Sequence, residues 1–221
     1  MSYTWDFTPV WRHIDTLLQG MAGTASLTGA ALLMALPLGL LIAIMRMSPV
    51  RWTSAIAVAY IDFFRASPAM VLLVWFYFAF PILAGVNINA FGAALLGIGL
   101  QSSSYMAEVF RGGMQAIPRG QWEAASAIGL SKAGAIRYVI LPQAIRHMVP
   151  VFLIRFAELI KATTLAAAIA YGETVYRANE LAARTYRPLE VFTVTAILFF
   201  IMIFGLNYAS QLIQRRLLGK N

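Results

Sequence analysis

The chain has no cysteine in its 221 residues. Disulfides, thiolate nucleophiles and thiol-bound metals are therefore excluded. Charge is scarce as well. Asp, Glu, Lys and Arg make up 12% of the sequence, against about 25% in an average soluble chain. No Gly-rich loop ends in Gly-Lys-Ser/Thr, so the chain holds no nucleotide cradle of its own. The only histidines, His13 and His147, lie far apart, and neither a His-x-x-x-His nor a Gly-x-Ser-x-Gly spacing occurs. No catalytic constellation and no metal site follow from these residues.

What is present is apolar. Hydrophobic residues make up 60% of the chain, and the mean hydropathy is +0.72. These values describe one domain, residues 1–221, that is mostly membrane. The net charge of +8 does not indicate nucleic acid, because the cations sit between long apolar runs rather than on one basic face. Anionic lipid and the positive-inside rule account for it. The start, MSYTWDFTPVWRHID, lacks the basic head and short apolar core of a cleavable signal peptide. The first span is expected to serve as its own insertion signal.

In chain order, Trp5, Phe7 and Trp11 suit a membrane interface. Residues 20–45 carry no charge and exceed the roughly 20 apolar residues a crossing needs. Gly20, Gly23, Gly29 and Gly39 invite close helix approach, and Pro37 a kink. Arg46 and Arg51 mark the cytoplasmic end. Residues 52–65 read as a helix at the inner boundary, with Asp62 and Arg65 placed to pair. Pro68 marks a bend into a second span, 66–84, which Pro81 closes. The uncharged turn GVNIN precedes a third span, 91–109, which holds Gln101, Ser102, Ser103 and Ser104. Those serines serve either their own backbone or a ligand. Glu108 and Arg111 are spaced to pair at the inner rim.

Residues 111–147 carry Arg111, Arg119, Lys132, Arg137 and Arg146 against Glu123, a basic excess that assigns them to the cytoplasm. Inside this stretch, Trp122, Ala125 and Ile128 recur on one face of a short helix. Gly129 supplies its left-handed stop, and Ser131 caps a second helix. Ile136, Val139 and Ile140 line the inner face of that helix, and Leu141 and Pro142 end it. The result is a cytoplasmic helical hairpin.

The fourth span, 148–171, contains Arg155, Glu158 and Lys161 at three-residue intervals. A charge at the bilayer centre costs roughly 2.5–3.5 kcal/mol on insertion scales. Three of them form either a wet, substrate-facing wall or an internal ion-pair network; Thr163 and Thr164 add hydroxyls. The outer segment GETVYRANELAARTYRP spaces Glu173 with Arg177 and Glu180 with Arg184 as helical pairs. It reads as a solvated helix or as a contact patch for a binding protein. A last span, 190–213, leads to Arg215, Arg216 and Lys220, which place the C-terminus inside. With Arg12, Arg177, Arg184 and Arg187 outside, the expected fold class is all-α: a polytopic bundle of five transmembrane helices, N-terminus periplasmic and C-terminus cytoplasmic.

Glu123-Ala124-Ala125, Gly129 and Ile140-Leu141-Pro142 resemble the EAA loop of ABC importer membrane subunits. Phe64-Arg65-Ala66-Ser67-Pro68, the run from Tyr105 to Gly113, and Leu141-Pro142-Gln143-Ala144 extend the likeness to the polar amino acid permease branch. Ala162 stands where many relatives place an aspartate. The resemblance implies a multi-pass subunit of the bacterial inner membrane that is not itself an enzyme. It implies a partner ABC ATPase dimer carrying ATP and Mg, a second permease copy, identical or paralogous, and a periplasmic solute-binding protein. The chain itself would need no cofactor. Arg119, Trp122, Glu123, Ala124, Ala125 and Gly129 would couple to the ATPase. Glu173, Arg177, Glu180 and Arg184 would meet the binding protein. Arg155, Glu158, Lys161, Thr163, Thr164, Ser102 and Ser103 would meet a small amino-acid-like substrate. Arg155 or Lys161 would take its carboxylate and Glu158 its ammonium. The intramembrane cations point to an acidic or amide amino acid, with an opine or a basic amino acid left open. The competing reading is an ion-gradient-driven secondary transporter or channel; five spans without an inverted repeat oppose it.

Overall fold

The computed structural model describes residues 3–218, without the side chains of Ile213 and residues 215–218. Its regular structure among the described residues is all helix: α1 (Thr8–Arg12), α2 (Ile14–Arg46), α3 (Arg51–Ala66), α4 (Ala69–Val74), α5 (Phe80–Ala84), α6 (Ala90–Gln115), α7 (Arg119–Ala127), α8 (Lys132–Ala135), α9 (Leu141–Ala162), α10 (Thr174–Thr185) and α11 (Pro188–Leu218). Wide π turns fill Trp75–Ala79 and Ile136–Ile140, and a 3₁₀ stretch fills Thr163–Ile169. Lys220 and the side chains of Arg215 and Arg216 lie outside the described set.

Helices α2 and α11 are each long and apolar enough to cross a membrane, and the bent pair α3 with Ala69–Ala84 makes a third if it counts as one span. Helices α6 and α9 have the length, but their polar residues keep them below that measure. The central pair is α2 against α6. A Cβ on Gly39 would lie 2.7 Å from Met106 Cβ and 2.8 Å from the Ser103 carbonyl oxygen. At the opposite end of α2, a Cβ on Gly23 would meet the Gly172 carbonyl at 2.5 Å, and one on Gly20 the Thr174 Cα at 2.7 Å. Small residues thus let α2 touch backbone at both ends; Gly29 faces open space. Pro37 lies inside α2, which runs on through it. The core around Leu27, Leu73, Ile98 and Leu159 joins α2, α4, α6 and α9.

Both π turns have one cause. In each, the residue before a proline donates its N–H five residues back: Phe80 to the Trp75 carbonyl ahead of Pro81, and Leu141 to the Ile136 carbonyl ahead of Pro142. The widened turn absorbs the missing proline donor and the ring clash without breaking the helix. This corrects two expectations. Pro142 does not end the second hairpin helix, which passes through the turn into α9. Pro81 does not close its helix either, which runs to Ala84 and stops at Gly85 with φ +67°. The bend expected at Pro68 is present, and it turns the chain by 101°.

Three further expectations are corrected. Asp62 and Arg65 do not pair; Arg65 instead approaches Glu108 of α6 at 3.9 Å, because tertiary packing offers it a closer carboxylate. Glu173 does not pair with Arg177, which bonds Glu180 at 2.8 Å. Glu173 is used elsewhere, capping α10 by accepting from the Tyr176 N–H at 2.8 Å. Ile128 does not join the buried face of α7: it is 75% exposed, because the helix stops one residue earlier at Ala127.

Candidate functional site

A small pocket lies between α6 and α9. Gln101, Ser102, Tyr105 and Met106 line one side, and Arg155, Glu158, Leu159 and Ala162 the other. It encloses about 50 Å³, room for a few waters and too little for an amino acid. Arg155 closes it by donating to Glu158 at 2.7 Å while its guanidinium stands 4.7 Å from the centre of the Tyr105 ring. The Arg155 and Glu158 side chains are 32% and 49% exposed. An acid and a base thus pair on α9 with both side chains partly exposed. Lys161 is exposed and forms no ion pair among the described residues, so the pair is not extended into a three-residue network.

Of the polar residues expected around the substrate, Ser102 lines the pocket and Ser103 does not. The Ser103 hydroxyl is fully buried, donating to the Leu100 carbonyl at 2.7 Å and bonded to the Tyr60 hydroxyl at 2.8 Å. Thr163 and Thr164 turn their hydroxyls to their own backbone, donating at 2.7 Å to the Ile160 and Lys161 carbonyls. This is the local back-bonding open to any helical hydroxyl. Gln101 and Tyr105 were not named as substrate contacts from sequence, although Gln101 stood out as a polar residue in an apolar run.

The hairpin follows its sequence closely at the turn. Gly129 adopts φ +78°, its N–H donates to the Ser126 carbonyl, and the Leu130 N–H reaches back to Ala125 at 3.1 Å. The Ser131 hydroxyl accepts from the Gly134 N–H at 3.2 Å. Trp122, Val139, Met114 and Met148 pack around buried Ile117, Ile140 and Ala144, which fixes the hairpin to the ends of α6 and α9. Ala125 is buried, and Ile136 is half-buried. Arg119, Glu123, Ala124 and Ile128 are left exposed. Glu123 stands in the second turn of α7, and Arg119 stands at its first residue, where a cation opposes the helix dipole. Neither position is explained by the stability of the hairpin alone.

At the other end, α10 is half submerged. Glu173, Thr174, Ala178 and Leu181 are buried, and Arg184 is open. Glu180 joins Arg177 at 2.8 Å and Arg184 at 4.0 Å. Of the four residues expected to meet a binding protein, Glu173 is therefore not on the surface. Burial pushes its carboxyl above the ordinary glutamate value, against the backbone N–H groups of Val175 and Tyr176 and the Thr24 hydroxyl, which hold it down. A second buried carboxylate, Glu190, accepts from the Tyr3 hydroxyl at 2.5 Å and from the Asp6 N–H at 3.1 Å. Arg187 ties the same strap by donating to the Thr4 carbonyl at 2.9 Å. Arg187, three residues earlier, also reaches Glu190 at 3.4 Å, but the Tyr3 and Asp6 partners lie at the far end of the chain, where no local pattern marks them.

Known proteins resemble this chain in sequence and in fold. The chain is 29% identical over 212 residues to the arginine transport system permease protein ArtQ of Bacillus subtilis (strain 168), covering 96% of this chain and 97% of that one. It is 32% identical over 213 residues to the glutamine transport system permease protein GlnP of Escherichia coli (strain K12), again covering 96% and 97%. The fold superposes on the crystal structure of an amino acid ABC transporter with histidines, with a TM-score of 0.91, 32% identity and coverage of 97% and 100%. A TM-score of 0.70 at 20% identity relates it in fold to the inward-facing MetNI methionine ABC transporter. Residues 35–219 match the binding-protein-dependent transport system inner membrane component, and the chain belongs to that family.

Proposed function

We propose that this chain is the permease subunit of an ATP-driven importer of polar amino acids or related small zwitterions in a bacterial inner membrane. The reading takes five spans, about 20–45, 66–84, 91–109, 148–171 and 190–213, with the N-terminus periplasmic and the C-terminus cytoplasmic. Hairpin residues Arg119, Trp122, Glu123, Ala124, Ala125 and Gly129 dock on a separate ATPase dimer, which holds the ATP and Mg. This chain needs no cofactor. A second permease copy, identical or paralogous, completes the pathway. A periplasmic binding protein delivers substrate to an outer face that includes Arg177, Glu180 and Arg184.

The observation that carries this reading is the Arg155–Glu158 pair across from Ser102 and Tyr105. A free amino acid bears the same two charges as this pair. Its carboxylate takes Arg155, its ammonium takes Glu158, and the pocket opens as the pair parts. The charges are held in place without substrate because each neutralises the other. Lys161, Thr163, Thr164 and Ser103 lie outside the pocket lining and are not direct ligands in this reading. ATP binding biases the bundle between inward-open and outward-open states only by its differential affinity for the two.

Affinity purification of the chain from its native membrane tests this assembly. The expected result is co-purification of a nucleotide-hydrolysing subunit, lost on Glu123→Arg. A complex with no such subunit would point to the ion-gradient-driven alternative.

A further inference from the structure

The 101° bend between α3 and α4 leaves backbone carbonyls without helical partners. Pro68 has no N–H, so the Phe64 carbonyl four residues back loses its donor. Ser67 is extended at ψ 132°, which takes its carbonyl out of the ladder too. Both are satisfied by one side chain: the Gln101 amide donates to the Phe64 carbonyl at 3.2 Å and to the Ser67 carbonyl at 2.8 Å. In a membrane, such carbonyls have no water to turn to. Gln101 also lines the Arg155–Glu158 pocket. One turn on, Tyr105 repeats the arrangement. Its ring lies 4.7 Å from the Arg155 guanidinium of the pocket and 5.7 Å from that of Arg65, at the end of α3. Below the bend, Gly97 brings α4 so close that an added Cβ would lie 3.0 Å from the Leu73 Cα.

We infer that Gln101 and Tyr105 are positioning residues forming a two-rung strut on α6 that couples occupation of the charged pocket to the angle of the α3/α4 elbow. Each rung touches the pocket on one side and the elbow on the other. A ligand that draws Arg155 off Tyr105 frees the ring for Arg65, and a ligand hydrogen-bonded to Gln101 competes with the elbow carbonyls for its amide protons. The arms of the elbow are tied to α6 by further contacts, Tyr60 to Ser103, Arg65 to Glu108 and Leu73 to Ile98, but the Gln101 rung alone bonds the carbonyls freed at the bend itself. This inference rests on the pocket being the substrate site of an ATP-coupled permease.

The test uses the assembled importer in lipid nanodiscs. A single nitroxide is placed at Val71→Cys, on the exposed side of the elbow; this chain has no cysteine to compete for the label. The probe is the binding protein equilibrated with a mixture of the twenty common L-amino acids, with ATP and vanadate for the line shape and with ATP alone for hydrolysis. ATP hydrolysis is read in parallel. In the wild type, the probe is expected to stimulate hydrolysis and to change the nitroxide line shape. Gln101→Met keeps the side-chain volume without the donor, and Tyr105→Leu removes the ring. Each should reduce the line-shape change at least threefold, whereas Tyr105→Phe, which keeps the ring, should retain it. A structural role alone would lower thermal stability without altering this response. Hydrolysis stimulated in the wild type with an unchanged line shape, or with full changes in Gln101→Met and Tyr105→Leu, overturns the strut. Absence of stimulation in the wild type overturns the importer reading beneath it.

Discussion

Glu173 and Glu190 at the α10 end of the bundle are fully buried, while Glu158 in the pocket is half open. The two buried groups are bound by backbone N–H groups and a tyrosine hydroxyl, with the Arg187 guanidinium a further partner of Glu190 at 3.4 Å. Glu158 is bound by one partly exposed guanidinium, which in the proposed function a ligand replaces. The buried carboxylates are fastenings that join the N-terminal strap and α2 to α10 and α11. The pocket carboxylate is a group held in reserve. Being charged inside a largely apolar chain does not by itself identify a site; what distinguishes the two is whether the partner can be exchanged.

The largest expected effect is on the pocket side of this contrast. Glu158→Gln should reduce uptake at least a hundredfold, about 2.7 kcal/mol, while the melting temperature of the complex stays within a degree or two. A half-exposed ion pair contributes little to stability. A large fall in melting temperature would move Glu158 into the same class as Glu190. The reverse pattern is expected for Glu190→Ala. Leaving the Tyr3 hydroxyl and Asp6 N–H without an acceptor should cost about 2 kcal/mol, seen as a lower melting temperature, with uptake per folded complex retained.

The hairpin sharpens the comparison from the other end of the molecule. Gly129 holds φ +78° with open space around it, so Gly129→Ala costs backbone strain alone, about 1–2 kcal/mol. ATP-driven uptake should fall several-fold, and Gly129→Asn should fall less, since asparagine tolerates the left-handed region. The smallest effect concerns pH. The folded-state value of Glu173 is raised by burial, so its contribution to the α2–α10 junction is complete below the ordinary glutamate value of 4.5 and declines as pH rises through the folded value. Thermal stability measured across that window should slope downward with pH in the wild type and flatten in Glu173→Gln.

Much of this was legible in the sequence because it was local. Gly129, Ser131, Pro68 and Gly20, Gly23 and Gly39 of α2 act through their own backbone or their own smallness, and those properties travel with the residue, whereas Gly29, expected to do the same, meets no neighbour. Arg155 and Glu158 were legible because charge in an apolar span requires a reason. What stayed hidden depended on distant partners. The side chain that satisfies the elbow is 34 residues from Ser67, and the hydroxyl that meets Glu190 is 187 residues away. Helical spacing suggested Asp62–Arg65 and Glu173–Arg177, but tertiary packing supplied Arg65 with Glu108 and left Glu173 to cap a helix. Pro142 read as a stop because a proline ordinarily ends a helix; the π turn ahead of it removes that need.

The central claim is that nucleotide hydrolysis on a partner drives a zwitterion past Arg155 and Glu158. Its most direct test is amino acid uptake into proteoliposomes holding the full complex, with and without ATP, for the wild type and Arg155→Ala. The account predicts uptake by the wild type only when ATP is supplied on the hairpin side, and none by the variant. Uptake sustained by an ion gradient without ATP, or undiminished in Arg155→Ala, would contradict it.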